Sequence, residues 1–466
     1  MNPDFSINLV FACMVAAIGA GFQHGYNTGV VNAPQNVIEK WMSDVSQERH
    51  GMPPDKNDIT FLFSLAVSIY CAGGIVGGLL TSTFAIHIGR RGGLFVNNLF
   101  ALIAAAMMGL SKMAGSFELL IAGRCFSGLN SGLNSGLAGM YLVEVSPRSM
   151  RGALGSMYQL IITISILVSQ ILGSQSIFGT DDLWPVLFGL TGIMALAQML
   201  FLPCCPETPK HIFNKGNKER AQKSLKWLRK REDVSAEMSE IQTEAEQEKS
   251  IGKASFQQFI QNPSLRKPLI IAIVIMIAQQ LSGINAVIYY STQIFQKAGM
   301  SQQEAQLATM IMGTVNIIMT VISVFLVEIA GRKTLLLIGF GLMFIVTALL
   351  AVLLEFIQYD FASYMCVALV VLFIVCFATG PGSIPWFLVA ELFGQDARPL
   401  AASISIGCNW TANFLVGLFF LPLQELIGPK VFIIFAVLQL IFTIFIFFKV
   451  PETKNKSLDE VLKYFK

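Results

Sequence analysis

The chain has 466 residues, of which 54% are hydrophobic and only 13% are charged. A soluble domain carries about 25% charged residues, so this composition excludes a soluble protein and predicts one that spans a membrane. The formal net charge of +3 gives no reason to expect a nucleic-acid partner.

Apolar stretches about 20 residues long, enough for a helix to cross the bilayer core, recur along the whole chain. They predict an all-α membrane protein with twelve transmembrane helices. The predicted spans are 8–31, 59–84, 94–113, 117–140, 152–174, 183–204, 268–295, 305–327, 334–355, 363–390, 400–423 and 429–449. The start, MNPDFSINL, has no basic region before the first span, so no cleavable signal peptide is expected.

A polar segment separates the sixth predicted span from the seventh and holds thirteen Lys and Arg residues between positions 205 and 268. Lys and Arg also concentrate after the other even-numbered spans, and the positive-inside rule therefore predicts that this segment and both termini are cytoplasmic. The expected domains are an N-terminal six-helix bundle (1–204), a cytoplasmic helical linker (205–267), a C-terminal six-helix bundle (268–449) and a cytoplasmic tail (450–466).

Short motifs recur in the two halves at offsets between 242 and 247 residues. GRR at 89–91 corresponds to GRK at 331–333, Glu144 to Glu391, Arg151 to Arg398, and PETP at 206–209 to PETK at 451–454. This repetition predicts two pseudo-symmetric bundles. A parallel repeat of two six-span bundles, with the substrate held between them, is the plan of the major facilitator superfamily.

Acidic residues accompany these basic motifs at the cytoplasmic span ends, where topology alone does not require them. We expect ion pairs among them to hold the two bundles together and to close the cytoplasmic side when the site opens outward. Such pairs must break in every cycle, which partial exposure allows. The predicted gate consists of Arg90, Arg91, Glu144, Arg151, Glu207, Glu328, Arg332, Lys333, Glu391, Arg398 and Glu452.

The stretch QQLSGIN at 279–285 places three amide side chains in the middle of the seventh predicted span. A buried amide without a hydrogen-bonding partner is costly in hydrocarbon, so something must satisfy these groups. Neutral amides donate and accept as sugar hydroxyls do, and a Trp ring can cover the apolar face of a pyranose. The alternative is that the amides only join neighbouring helices.

Motifs spread over nearly the whole chain resemble those of the sugar porters, and most closely those of the animal facilitative glucose transporters. They are GYNTGVVNAPQ (25–35), GRCFSG (123–128), YLVEVSPRSMRGALGSMYQL (141–160), PETP, QQLSGINAVIYYS (279–291), GRK, GPGSIPWFLVAELFGQDARP (380–399), NWTANF (409–414) and PETK. The resemblance implies the major facilitator fold and hexose transport by alternating access.

The resemblance also implies positions for the substrate and for one further gate residue. Sugar contacts are expected at Gln159, Gln279, Gln280, Asn285, Asn316, Trp386, Asn409 and Asn413. Arg124, within the fourth span, is expected to join the network of Glu144 and Arg398.

Residues of the first span bear on whether transport is coupled to protons. The proton-coupled sugar porters carry Asp where this chain has Asn27, and an amide cannot hold the proton. We therefore expect a uniporter that works by facilitated diffusion, with D-glucose as the main substrate. His24, where the glucose transporters commonly have Phe, leaves a proton-coupled hexose symporter as the alternative.

Departures from the family pattern bear on selectivity. Residues 276–278 read MIA where the glucose-selective members have QLS, and Ala378 replaces a common Glu. Trp386 and Asn409, which the fructose-specific branch usually replaces, are retained. We expect relaxed selectivity that admits fructose, galactose or mannose.

Other functional classes find less support in the sequence. No nucleophile–base set, HExxH motif or phosphate-binding loop indicates an enzyme, and the eight scattered cysteines do not indicate a metal site, so no cofactor is expected. A sugar sensor without transport is a less favoured alternative, because only about 17 residues follow the last span. The expected partners are a hexose and membrane lipid, with a monomeric transport unit in the plasma membrane.

Overall fold

The computed structural model describes residues 6–147, 150–250, 255–356, 359–394, 396–454, 456 and 458–465. Regular secondary structure in this part of the chain is entirely helical, and no residue in it belongs to a β-strand. The all-α class predicted from the composition is therefore confirmed.

The first half of the chain contributes one group of helices, here called the first group. They are α1 (Ile7–Gly29), α2 (Gln35–His50), α3 (Lys56–His87), α4 (Arg90–Leu110), α5 (Phe117–Val145), α6 (Arg151–Leu172), α7 (Trp184–Gly189) and α8 (Thr191–Phe201). Helix α2 is polar and lies between the first two predicted spans. Helices α7 and α8 follow each other with only Leu190 between them and together occupy the sixth predicted span.

The linker forms four short helices, α9 (Pro209–Asn214), α10 (Lys218–Arg229), α11 (Ser235–Ser250) and α12 (Phe256–Gln261). Helix α10 packs against the start of α1, where Nδ2 of Asn8 donates to the carbonyl oxygen of Trp227 at 2.8 Å. This side of the molecule is called the linker face. Helix α2 lies on the other side, called the opposite face.

The second half forms the second group of helices. They are α13 (Pro263–Leu281), α14 (Ile284–Lys297), α15 (Gln302–Ala330), α16 (Arg332–Leu353), α17 (Asp360–Thr379), α18 (Ile384–Leu392), α19 (Arg398–Ile427) and α20 (Val431–Lys449), and α21 (Leu458–Lys463) follows on the linker face. The predicted spans 268–295 and 363–390 are thus each divided into two helices.

The break between α13 and α14 centres on Gly283, which has φ +93°. A residue with a Cβ is strained in this left-handed conformation, and a Cβ added here would lie 3.1 Å from the ring of Phe435. The break between α17 and α18 falls at Gly380–Ser383, where Pro381 has no N–H to continue a helix. Both breaks free backbone groups at mid-membrane depth, which is tolerated only where protein or a polar cavity satisfies them.

Length and composition select ten candidate membrane spans among the described residues. One of these, Arg398–Lys449, is 52 residues long and contains both α19 and α20. Helix α5 is not among the ten because it carries Arg124 and several buried polar residues, including Asn130 and Asn134. Each of the twelve spans predicted from the sequence coincides with a helix or a pair of helices, although α5 lies outside the ten candidate membrane spans.

The two groups meet along two long seams. Helix α3 of the first group packs along α19 of the second, and α6 packs along α15. The broken helix pair α13 and α14 lies next to α19, with α14 also touching α1. This arrangement brings the amide residues of α13, α14 and α19 to the region where the groups meet.

Candidate functional site

Four amide side chains from three helices form a hydrogen-bonded set, here called the amide cluster: Gln279, Gln280, Asn285 and Asn409. Nε2 of Gln280 donates to Oδ1 of Asn409 at 2.9 Å, and its Oε1 accepts from Nδ2 of Asn285. Nδ2 of Asn409 donates to Oε1 of Gln279 and to the carbonyl oxygen of Met276, both at 2.9 Å. Four of the eight predicted sugar contacts are thus brought together, and each of these residues is at most 7% exposed.

The broken helix α17–α18 supplies further partners for this cluster. Nε2 of Gln279 donates to the carbonyl oxygens of Pro381 and Gly382, at 2.9 and 2.8 Å. These carbonyls are free because the helix is interrupted there. The GPGSIP stretch therefore holds the cluster from one side.

Two amide groups at the edge of this region retain unused hydrogen-bonding capacity. The Tyr289 hydroxyl donates to Oδ1 of Asn413 at 3.1 Å, which leaves Nδ2 of Asn413 free to donate elsewhere. Within the described residues, neither that nitrogen nor Oδ1 of Asn285 has a hydrogen-bonding partner, and neither atom is among the fully buried ones. A neutral ligand with hydroxyl groups could pair with both atoms.

The three other predicted sugar contacts stand apart from the cluster. Gln159 in α6 is exposed, Asn316 in α15 is half-buried, and Trp386 in α18 is 39% exposed. In the described part of the chain, none of the three makes a side-chain hydrogen bond with the amide cluster. Their positions leave them accessible rather than packed.

An aromatic wall that sequence reasoning did not assign to the site joins the two groups. His24 of α1 stacks on Trp410 of α19, with ring centroids 5.8 Å apart, and its Nδ1 lies 3.0 Å from the Tyr158 hydroxyl. Tyr70 of α3 contacts the edge of Trp410 at 6.0 Å. The signal was available, because Trp410 lies between Asn409 and Asn413 in the NWTANF motif.

Arg124 is not part of the linker-face network in which the sequence placed it. Its guanidinium lies over the Tyr70 ring at 4.7 Å, and its Nη1 donates to the carbonyl oxygen of Asn27 at 2.6 Å. Glu144 lies 20 residues further along α5, and at about 1.5 Å per residue that is about 30 Å away. The residue instead ties α5 to α1 and α3 in the half of the bundle nearer the opposite face.

Two equivalent ion-pair networks lie on the linker face, one in each group. Nη2 of Arg90 pairs with Glu144 at 2.8 Å, and Nη2 of Arg332 pairs with Glu391 at 2.8 Å. The second carboxylate oxygen accepts from a threonine hydroxyl in each case, Thr208 for Glu144 and Thr453 for Glu391. The sequence repeat therefore corresponds to repeated contacts.

The Glu residues of PETP and PETK bind the starts of two helices. Glu207 accepts from the backbone N–H groups of Arg90 and Arg91, at the start of α4. Glu452 accepts from those of Arg332 and Lys333, at the start of α16. A carboxylate at a helix N-terminus satisfies unpaired N–H groups and interacts favourably with the helix dipole.

The remaining predicted gate residues contact their own half of the chain. Arg151 lies 3.8 Å from Glu244 of the linker, Nη1 of Arg91 donates to the carbonyl oxygen of Cys205, and Arg398 donates to that of Phe393. Nζ of Lys333 lies 5.8 Å over the Phe447 ring, and Glu328 is exposed at the end of α15.

Among the described residues, no ion pair joins the two groups on the linker face, so the expected lock is not formed here. The physical reason is proximity, because Arg90 and Arg332 each meet a carboxylate of the neighbouring helix in their own bundle.

The contacts that join the two groups lie instead toward the opposite face. Asn32, which follows α1, donates to Oγ of Ser291 at 2.7 Å and accepts from the N–H of Thr292. Nζ of Lys56 pairs with Glu425 at 2.9 Å, and Lys297 pairs with the same carboxylate at 2.7 Å. The structure is therefore closed at the opposite face.

Comparison with known proteins agrees with this architecture. The family described as Sugar (and other) transporter matches residues 12–465. Facilitated glucose transporter member 3 of solute carrier family 2 from Ovis aries is 44% identical over 98% of this chain and 92% of its own length. Member 1 from Gallus gallus is 44% identical over 100% of this chain and 95% of its own.

Solved structures show the same fold. The xylose transporter XylE from E. coli in a partially occluded inward open conformation has a TM-score of 0.82 at 24% identity, covering 97% of this chain and all of that one. XylE bound to 6-bromo-6-deoxy-D-glucose has a TM-score of 0.78 over 98% of this chain and 99% of its own. The chain therefore belongs to the sugar transporter family and has the fold of the major facilitator superfamily.

Proposed function

We propose that this protein is a facilitative hexose uniporter that carries D-glucose by alternating access. The observation that carries the proposal is the uncharged amide cluster where the two groups meet, with free hydrogen-bonding groups on Asn285 and Asn413. Sugar hydroxyls both donate and accept and so fit these groups, whereas a carboxylate substrate would call for Arg or Lys. The relatives, which are named facilitated glucose transporters, support the same substrate class.

We expect the binding of the sugar to be weak. Sugar hydroxyls replace water on the free amide groups, and exchanging one hydrogen bond for a similar one leaves little net free energy. A millimolar dissociation constant corresponds to only about −4 kcal/mol. Such an affinity suits a carrier, which must release the sugar on the far side.

The proposed cycle alternates between the two faces. We propose that the bundles 1–204 and 268–449 move relative to each other as the two halves of one transport unit. The linker and the tail stay on the linker face, where their described residues lie. We assign that face to the cytoplasm because its Lys and Arg content fits the positive-inside rule. The plasma membrane is the location we propose for a hexose carrier. The linker-face networks are proposed to close that side when the opposite face opens.

The proposed selectivity is relaxed. The residues MIA at 276–278 replace the QLS of glucose-selective members, and Met276 presents its carbonyl oxygen to Asn409. Fructose, galactose and mannose should each compete with labelled glucose uptake. Rejection of all three would restrict the proposal to glucose.

Uptake of labelled D-glucose into proteoliposomes tests the main proposal. We expect uptake that saturates and that stops when the internal and external concentrations are equal, with labelled L-glucose as the control for leakage. Equal rates for the two enantiomers would contradict carrier transport.

A second candidate function is proton-coupled hexose symport, and His24 is the residue that favours it. This titratable ring lies beside the site, in contact with Tyr158 and Trp410. An inward proton gradient distinguishes the two functions, because only a symporter would accumulate sugar above the external concentration.

A further inference from the structure

Gln170, in the last turn of α6, is an amide that the proposed site does not use. Its side chain is 1% exposed, yet neither Oε1 nor Nε2 has a hydrogen-bonding partner among the described residues. A buried amide with both groups unpaired loses its hydrogen bonds to water and gains none in the protein, which destabilises this conformation. A buried, unpaired amide calls for an explanation, and a second conformation in which the amide finds partners provides one.

The position of Gln170 indicates which conformation that is. The side chain points across the seam between the two groups at Gly313 of α15, where an added Cβ would lie 2.7 Å from Oε1 of Gln170. No side chain at position 313 fills this space, so α15 approaches the amide closely. When α6 and α15 separate, both amide groups become accessible.

The contacts that lie between Gln170 and the opposite face hold that face closed. One helical turn before Gly313, the hydroxyl of Thr309 bonds Ser291 and Thr292, the residues that hold Asn32. Gln306, another turn away, accepts from the N–H of Gln175 across the seam at 3.2 Å. Gln170 therefore lies directly inside the contacts that must break for a sugar to enter from that side.

The helix geometry aligns Gln170 with the predicted site. Gln159 precedes it by 11 residues on α6, which at about 1.5 Å and about 100° per residue puts both side chains on nearly the same side of the helix, about 16 Å apart. A path that runs from the opposite face to Gln159 along α6 passes Gln170 first.

We propose that Gln170 is a sugar contact of the opposite-face-open state, which binds hydroxyls of the entering hexose and is hydrated when no sugar is present. The inference rests on the proposed hexose transport and adds a second contact position on the entry path. Because the amide has no partner in the closed state, it also favours opening of the seam.

The test uses a D-glucose conjugate too bulky to be transported, added to either face of vesicles containing the whole protein. In Gln170→Leu we expect its affinity from the opposite face to fall by about fivefold or more and its affinity from the linker face to stay within about twofold. Thr347→Val is the matched control, since it removes another buried, unpaired polar group, on α16. That variant should leave both affinities unchanged.

Two results would overturn the inference: unchanged affinity from the opposite face, or equal losses from both faces. If Gln170→Leu does not fold, Gln170→Met keeps the length of the side chain and is measured in the same assay. Wild-type protein that binds the conjugate from neither face would overturn the proposed function itself. The two failures are therefore distinguishable.

Discussion

At the scale of single residues, the amides of the site have two kinds of partner. The amide groups of Gln279 and Asn409 bond to each other and to backbone carbonyl oxygens, so these two residues position the site. Asn285 and Asn413 keep groups free for a ligand. The observed bonds are therefore those of helix-joining amides, and sugar binding at the free groups is the part that we propose.

Gln280 is the residue whose loss should affect sugar binding most, because it connects Asn409 to Asn285. We expect Gln280→Ala to weaken glucose binding by about tenfold or more, since the orientation of both neighbours is lost. Equilibrium binding of labelled glucose measures this.

The control for Gln280→Ala is Asn97→Ala, which removes a buried amide that bonds Asn134 and the carbonyl of Asn130 within the first group. That variant should lower thermal stability while the affinity for glucose changes by less than about twofold. Equal loss of affinity in both variants would remove Gln280 from the site.

The motifs indicate the polar residues of the amide cluster but not how helices distant in sequence pack against each other. QQLSGIN and NWTANF indicate the amides because their polarity is anomalous within apolar spans. The stacking of His24 on Trp410 and the inward position of Arg124 depend on packing between helices far apart in sequence. No local pattern encodes such contacts.

At the scale of elements, a glycine-dependent break and two carboxylate-bound helix starts define the geometry. Gly283 permits the turn from α13 to α14, which sets Gln280 and Asn285 beside each other. Glu207 and Glu452 fix the starts of α4 and α16. The sequence predicted the repeat, but it predicted a single seventh span where the structure has α13 and α14, and it assigned these Glu residues to a lock between bundles.

Substitution of Gly283 should distort the site as well as destabilise it. Gly283→Ala forces a Cβ into a left-handed backbone beside Phe435, and such strain costs about 1 to 3 kcal/mol. We expect a lower unfolding temperature and weaker glucose binding. Gly407→Ala in α19 is the control, because an added Cβ there meets open space; similar effects in both variants would contradict the account.

Ionised Glu452 should stabilise the protein only above acidic pH. Burial of this carboxyl opposes ionisation, but the backbone N–H groups of Lys454, Arg332 and Lys333 outweigh it, so the pKa of Glu452 is lowered below its ordinary value. A lowered pKa in the folded state gives stability that is present above the unfolded pKa and is lost as pH falls through the folded one. Thermal unfolding between neutral pH and about pH 3 should therefore show a smaller acid-induced loss in Glu452→Gln than in wild type. Parallel curves would contradict the prediction.

At the scale of the whole molecule, hydrogen bonds and ion pairs among the described residues join the two groups at the opposite face and not at the linker face. Asn32 and the pair Lys56–Glu425 join the two groups at the opposite face, whereas the linker-face networks stay within their own groups. The two-bundle plan could be predicted from the repeat. The conformation could not, because one sequence must support both states of a transport cycle.

Removing the carboxylate of Glu425 should shift the protein toward the opposite-face-open state. Glu425→Gln breaks the pair with Lys56, and because exposed ion pairs are worth about 0 to 1 kcal/mol, the shift should not exceed about fivefold. Labelling of a cysteine placed at Ala33, by a reagent added to the opposite face, measures the shift, because Ala33 is only 4% exposed in the closed structure and lies beside Gln306 of the second group. Arg49→Gln is the control, since its pair with Glu118 lies within the first group. Equal labelling in both variants would argue against Glu425 as a tie between the groups.

Binding of hexose by the amides where the two groups meet can be tested with an experimental structure of the protein with bound D-glucose. We expect sugar density between the two groups, with hydroxyls in hydrogen-bonding distance of Gln280, Asn285 and Asn413. Sugar density away from these side chains, with every amide bonded only to neighbouring helices, would contradict it.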